Sequence, residues 1–268
     1  MNNRDYWIRR KEKQDKKAQA SENEVLRELY KEYDKASREV QAKISQFYSK
    51  YGKDDVIEYN QLLRKLSASD LKLVYEDFES FIDKYPKYDK LFPIRKKAYV
   101  LTRLEALEVD IMKQMVELGV YEEQKIKEFL KQQYKAGYLQ TVEDIENVFR
   151  KVSGFNKYNT GVLNTLLKTK WVDGKNYANS VWDNKSTLAR YLANEFKTGV
   201  ARGTSINNLS KQVQDRFNKS KYVADRLVRT ESNHVLNAAE MKAYEDDAID
   251  EYEYLAAIDD RTSDICKG

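Results

Sequence analysis

Two short stretches near the C-terminus hold the side chains best suited to chemistry. The first is Leu227-Val228-Arg229-Thr230-Glu231, and the second is Asp259-Asp260-Arg261-Thr262-Ser263-Asp264-Ile265-Cys266. An Arg beside a carboxylate is able to bind and activate an anionic substrate. The two stretches are also complementary in charge: Glu231 suits Arg261, and Arg229 suits Asp259 or Asp260. Buried charges persist only when paired and hydrogen-bonded. The simpler expectation is therefore a polar latch of Arg229, Thr230, Glu231, Asp259, Asp260, Arg261 and Thr262, tying a helix to a strand, with no catalytic residue. On that expectation Glu231→Ala costs about 3–5 kcal/mol if it leaves Arg261 buried and unpaired.

Other reactive side chains are scarce. The chain has one histidine and one cysteine. His234 falls three residues after Glu231, on the same helix face, and reads as a hydrogen-bonded structural residue. Ser263 and Cys266 have no evident partner for nucleophilic work. A single thiol with Asp260 or Asp264 is a poor half-site for zinc, so Cys266 is only a weak candidate ligand and no metal or cofactor is expected. A lone cysteine also rules out a disulfide within the chain and fits a reducing cytosol.

The elements that must position these residues are mostly helices. Leu26, Leu29, Tyr30, Tyr33, Val40, Ile44, Phe47, Tyr48 and Tyr51 recur at helical steps and predict one long amphipathic helix from Ser21 to a stop at Gly52. Further helices are predicted through Val56–Leu66, from a Ser69 cap to Pro86, from Pro93 to Gly119, and from Glu122 to an interruption at Gly137. Another opens at Thr141. Beyond 153–161, rich in glycine and polar turn formers, Trp171, Tyr177, Trp182, Leu188 and Phe196 are again spaced for helices, with a turn at Asp173-Gly174. Gly203 reads as a helix end, Thr204 or Ser205 as the next cap, and Lys219-Ser220-Lys221 as a turn. Only Glu251–Asp259 alternates like a strand, and no partner strand is evident before Gly268.

The expected fold is mainly α. A basic flexible arm (1–20) precedes an elongated helical bundle (21–152). A linker (153–161) then leads to a helical domain (162–268) that ends in a small β element and is expected to continue past 268. No run reaches the roughly 18 apolar residues of a membrane span. No apolar stretch follows the N-terminal basic residues, as a secretory signal would require.

Charge is blocked along the chain. Residues 1–20 hold seven basic and three acidic side chains, and residues 168–229 hold thirteen and five. Residues 240–267 reverse this with ten acidic and three basic, so an acidic end follows a basic segment. Lys168, Lys170, Lys175, Lys185, Lys197, Arg202, Lys211, Arg216, Lys219 and Lys221 supply phosphate-contact chemistry, with no DNA-reading motif around them. Solvated helix faces explain the same residues.

The order of these features carries a resemblance. Trp171 and Trp182 in a helical region, Gly203-Thr204-Ser205-Ile206, the Arg229-Thr230-Glu231 helix and a strand ending in Asp259-x-Arg261-Thr262-x-x-x-Cys266 together resemble the Mu F-like head morphogenesis family, the minor capsid proteins of tailed bacteriophages. The resemblance covers about residues 160–268. It implies a low-copy head protein made in the host cytoplasm and then held inside the virion head. Its implied partners are the portal, capsid or scaffold proteins, with packaged double-stranded DNA as a further one, and its implied work is head assembly or DNA retention and ejection. Family members commonly carry Arg-Thr-Cys-x-x-Cys after the strand, for which a metal site has been suggested. Ser263 stands at the first of those cysteines here. Two other expectations remain: a helical carrier for an enzyme or toxin domain beyond 268, and a sequence-independent DNA-binding protein.

Overall fold

The computed structural model describes residues 3–92, 94, 100–149, 159–249 and 251. Helix dominates, as the periodicity requires. The elements are α1 (Asn3–Tyr51), α2 (Tyr59–Leu62), α3 (Ala68–Lys84), a 3-10 turn (Pro86–Leu91), α4 (Arg103–Phe149), α5 (Thr160–Lys168), α6 (Tyr177–Ala201) and α7 (Ile206–Asp246). At 1.5 Å per residue α1 and α4 are each about 70 Å long. Of the long helices, α4 and α7 each pack against the other three, and α1 and α6 each pack against both α4 and α7.

Their apolar stripes meet in two large clusters. One joins Tyr33, Val40 and Ile44 of α1 to Leu107 and Met115 of α4, Leu192 and Phe196 of α6, and Leu209 and Phe217 of α7. The other joins Leu26 and Leu29 to Ile126, Leu130 and Tyr134, with Val181, Val228 and Val235, and takes in Leu163 and Leu167 of α5. Both clusters therefore draw on helices from either side of the expected 153–161 linker, so those two parts of the chain are one packing unit. Residues 153–158 lie outside the described residues, and Thr160 and Gly161 already form the first turn of α5. A third cluster, around Phe78, Phe81 and Phe92, seats α3 on the start of α4.

Several boundaries differ from the sequence expectation, each for a local reason. Residues 3–20, expected as a flexible arm, are the first turns of α1; Arg10 pairs with Asp144 and Lys11 with Glu240 at 2.6 Å. Helix α4 runs unbroken through Gly119, Gly137 and Thr141. A Cβ on Gly119 would lie 2.8 Å from the Trp182 ring, and one on Gly137 would lie 3.0 Å from Leu236 Cδ2. These glycines permit close helix approach, and neither stops the helix. Thr141, expected as a cap, donates its hydroxyl to Gly137 O at 2.9 Å within the same helix.

The start of α4 is a capping box at Thr102. Thr102 N–H donates to Glu105 Oε2 at 2.8 Å, and Glu105 N–H donates to Thr102 Oγ1 at 3.2 Å. The expected start at Pro93 lies outside the described residues. The cap of α3 is Ser67, which accepts from Asp70 N–H at 3.1 Å, two residues before the expected Ser69. The helix expected over 56–66 shortens to Tyr59–Leu62.

At the other end, Gly203 does close α6. It sits at φ +67°, its N–H donates to Val200 O at 3.0 Å and that of Thr204 donates to Gly199 O at 2.8 Å, the paired bonds of a Schellman ending. Lys219-Ser220-Lys221, expected as a turn, lies inside α7, because Ser220 is buried and donates to Asn184 Oδ1 of α6 at 2.9 Å. The expected β element at 251–259 lies outside the described residues except for Glu251, and no described helix is long and apolar enough to cross a membrane.

Candidate functional site

Between the two large apolar clusters lies a layer of buried polar groups. Glu122 of α4 and Lys185 of α6 are 0% and 1% exposed, and Lys185 Nζ stands 2.7 Å from Glu122 Oε2. Tyr33 of α1 donates its hydroxyl to the same oxygen at 2.8 Å and also meets Lys185 Nζ. Asn184 Nδ2 donates to the Tyr33 hydroxyl and to Ser220 O, both at 3.1 Å, which brings α7 into the layer.

Burial lowers the Lys185 ammonium below its ordinary range, against the pull of Glu122. Burial and the Glu122 charge push the Tyr33 phenol well up. Glu122 Oε1 has no hydrogen-bond partner among the described residues. The layer thus joins all four long helices at one height. Tyr33, Glu122, Lys185 and Ser220 are buried in it, and Asn184 is half-buried.

Lys185 was among the basic residues expected to meet phosphate, and that expectation fails for it. Its side chain is the most deeply buried cation of the set, turned inward to Glu122. Three others are held by carboxylates: Lys175 by Asp183 at 2.6 Å, Arg216 by Glu195 and Lys221 by Asp34. Lys168, Lys170, Lys197, Arg202, Lys211 and Lys219 are exposed and spread over α5, α6 and α7 and the links between them.

The Arg229-Thr230-Glu231 stretch sits midway along α7. Arg229 Nε donates to Asp225 Oδ1 at 2.6 Å, one turn back, and its other nitrogens reach Glu22 Oε2 and Asn23 Oδ1 of α1, both at 3.4 Å. Asp225 also accepts from the Tyr30 hydroxyl at 2.7 Å. Burial raises the Asp225 carboxyl, but the bonds from Arg229 and Tyr30 outweigh it and hold the group below its ordinary value. Burial raises Glu22, with Ser232 and Arg229 opposing. Thr230 faces solvent. In the described residues Arg229 thus ties α7 to α1; Asp259, Asp260, Arg261 and Thr262 lie outside them, as do Ser263 and Cys266.

Glu231 has a neighbour that sequence reasoning missed. It is 6% exposed and accepts from Trp171 Nε1 at 3.2 Å. The Trp171 ring stacks on His234, with centroids 3.8 Å apart and planes 9° apart. Burial raises Glu231 and lowers His234. The turn that carries Trp171 is built by Asp173 and Gly174, both at positive φ, between the bridged residues Val172 and Lys175. Trp171, Glu231 and His234 therefore fasten the α5–α6 connection to α7. With a neutral indole as the described partner, Glu231→Ala is expected to cost only about 0.5–1.5 kcal/mol in a urea melt, the ordinary worth of one hydrogen bond. A loss of about 3–5 kcal/mol would instead point to a buried cationic partner such as Arg261.

Among the described residues no three His, Cys, Asp or Glu side chains gather into a metal site. What these residues define is a long-helix bundle cross-braced by buried polar contacts, with chemistry of a kind suited to holding elements together.

Residues 191–268 match the family model described as Phage Mu protein F like protein. Over that stretch the resemblance to the Mu F-like head morphogenesis family is borne out; it begins at Tyr191 in α6 and takes in the whole of α7 with Arg229-Thr230-Glu231. No curated protein and no solved structure matches the chain.

Proposed function

We propose that this chain is a minor head protein of a tailed bacteriophage, docking on the portal or capsid to serve head assembly or DNA retention and ejection, and acting by binding without catalysis. The observation that carries the reading is the family match over residues 191–268. The matched end of α6 and the whole of α7 share their core with α1 and α4, so the upstream helices belong to the same body and present surface for the same assembly. Immunoblots of purified procapsids and mature heads are expected to find the protein in a few copies per particle. Its absence from both particles would defeat the reading.

The exposed cations favour a second contact. Lys168, Lys170, Lys197, Arg202, Lys211 and Lys219 stand free to meet phosphates without base readout, so DNA binding would be independent of sequence and steeply dependent on salt. A gel shift with random duplex DNA is expected to show retardation at about 50 mM salt that disappears by about 200 mM. No retardation at the lower salt would remove DNA from the account.

A further inference from the structure

We infer that the outward face of α7 from Asp215 to Arg226 is a docking surface for a protein partner with an acidic rim; this rests on the docking function proposed above and assigns its place on the chain. The inner face of α7 is buried along its length, through Leu209, Val213, Phe217, Ala224 and Val228. The outer face carries Tyr222, 66% exposed, and Val223, 46% exposed, side by side. They border a shallow groove completed by Asp215, Asn218 and Lys219. An exposed aromatic beside an exposed branched aliphatic gains by being covered, and Tyr is among the residues that protein interfaces favour.

Charge around this apolar centre selects the occupant. Lys211, Lys219 and Arg226 are exposed on the same helix, against Asp215 as the one carboxylate in the groove lining. Across the seam with α6, Arg216 lies 4.7 Å from the centroid of the Tyr191 ring, itself 42% exposed, while pairing with Glu195. The surface is therefore positive at its rim and apolar at its middle. A nucleic-acid backbone uses the cations alone and leaves Tyr222 and Val223 uncovered. An acidic protein surface with its own apolar centre uses both.

The probe is the purified portal protein of the same phage, titrated against the full chain. Tyr222→Ser with Val223→Ser is expected to weaken binding by about tenfold or more. Lys219→Glu with Arg226→Glu is expected to weaken it similarly and to flatten its salt dependence. The altered side chains are exposed, so melting temperatures should stay at the wild-type value. The control pair Lys127→Glu with Lys131→Glu, exposed on α4, should bind within about twofold of wild type. If the wild type binds portal and both α7 pairs bind equally well, the face is not the dock and the inference fails while the function stands. If the wild type binds neither portal nor capsid protein, the function fails and takes this inference with it. If the α7 pairs lose duplex DNA binding while keeping portal binding, the face serves nucleic acid and the inference is overturned.

Discussion

Lys185→Met destabilises the protein by about 3–5 kcal/mol, the largest loss expected from any single change outside the apolar clusters. Among the described residues the substitution leaves Glu122, at 0% exposure, with only the Tyr33 hydroxyl as a partner, and its Oε1 with none. Taking a carboxylate out of water costs several kcal/mol, and the lost ammonium was the charge that offset it. The corresponding double change, Glu122→Leu with Lys185→Met, is expected to recover most of the loss or exceed wild type, because well-packed apolar groups need no desolvated pair. Urea melts measure this through the midpoint, provided the slope is unchanged. A single variant within about 1 kcal/mol of wild type would mean that the layer is wet. Tyr33, Asn184 and Ser220, the three polar residues around the pair, then have a definite use: together with it they fix the relative height of α1, α4, α6 and α7, which apolar stripes alone leave free to slide.

Gly119→Ala lowers stability by about 1–3 kcal/mol, against the usual direction for a helix interior. Replacing Gly by Ala within a helix ordinarily gains close to 1 kcal/mol. Here the new methyl would stand 2.8 Å from two carbons of the Trp182 ring and 3.1 Å from Lys185 Cγ. The ring is not free to retreat: its Nε1 donates to Glu123 at 2.7 Å, and its face lies 4.6 Å from Tyr88. Moving it disturbs both contacts and presses on the polar layer. Gly137→Ala is the useful comparison, since the nearest atom there is a Leu236 methyl at 3.0 Å, the end of a side chain able to turn aside. That variant is expected near neutral, within about 0.5 kcal/mol. A raised melting temperature for Gly119→Ala would show that α4 and α6 part more easily than their packing implies.

Helix stripes were legible in the sequence because burial and periodicity coincide. Leu26, Leu29, Tyr33, Val40, Ile44, Phe47 and Tyr48 were all placed on one face, and all are buried. Glycines were harder to read, since one residue type serves two ends. Gly203 ends a helix at positive φ, whereas Gly119 and Gly137 admit a neighbouring helix, and nothing local separates the cases. Thr102-x-x-Glu105 was a capping box in plain view, masked by the stronger proline signal at Pro93.

The polar layer escaped notice because its bonded pairs lie 36 to 152 residues apart, from Asn184–Ser220 to Tyr33–Lys185. A faint signal existed. Glu122 occupies the stripe position between Leu118 and Ile126, and Lys185 that between Val181 and Ala189. A charge in an apolar register implies an opposite charge in a facing one. Arg229 shows the converse: Asp225 stands one turn away and was readable as an i,i+4 pair, yet its longer reach to Glu22 was not. The Trp171–His234 stack needed the turn at Asp173-Gly174 to fold back onto α7, which spacing alone does not reveal.

Binding to the portal protein is the most direct test of the central claim. Co-expressed with a tagged portal protein of the same phage and purified over the tag, the full chain is expected to elute with it at a fixed ratio through size exclusion. Elution of the chain wholly apart from the portal, and from capsid protein tagged and co-expressed in the same way, at concentrations where all remain folded, would contradict the account.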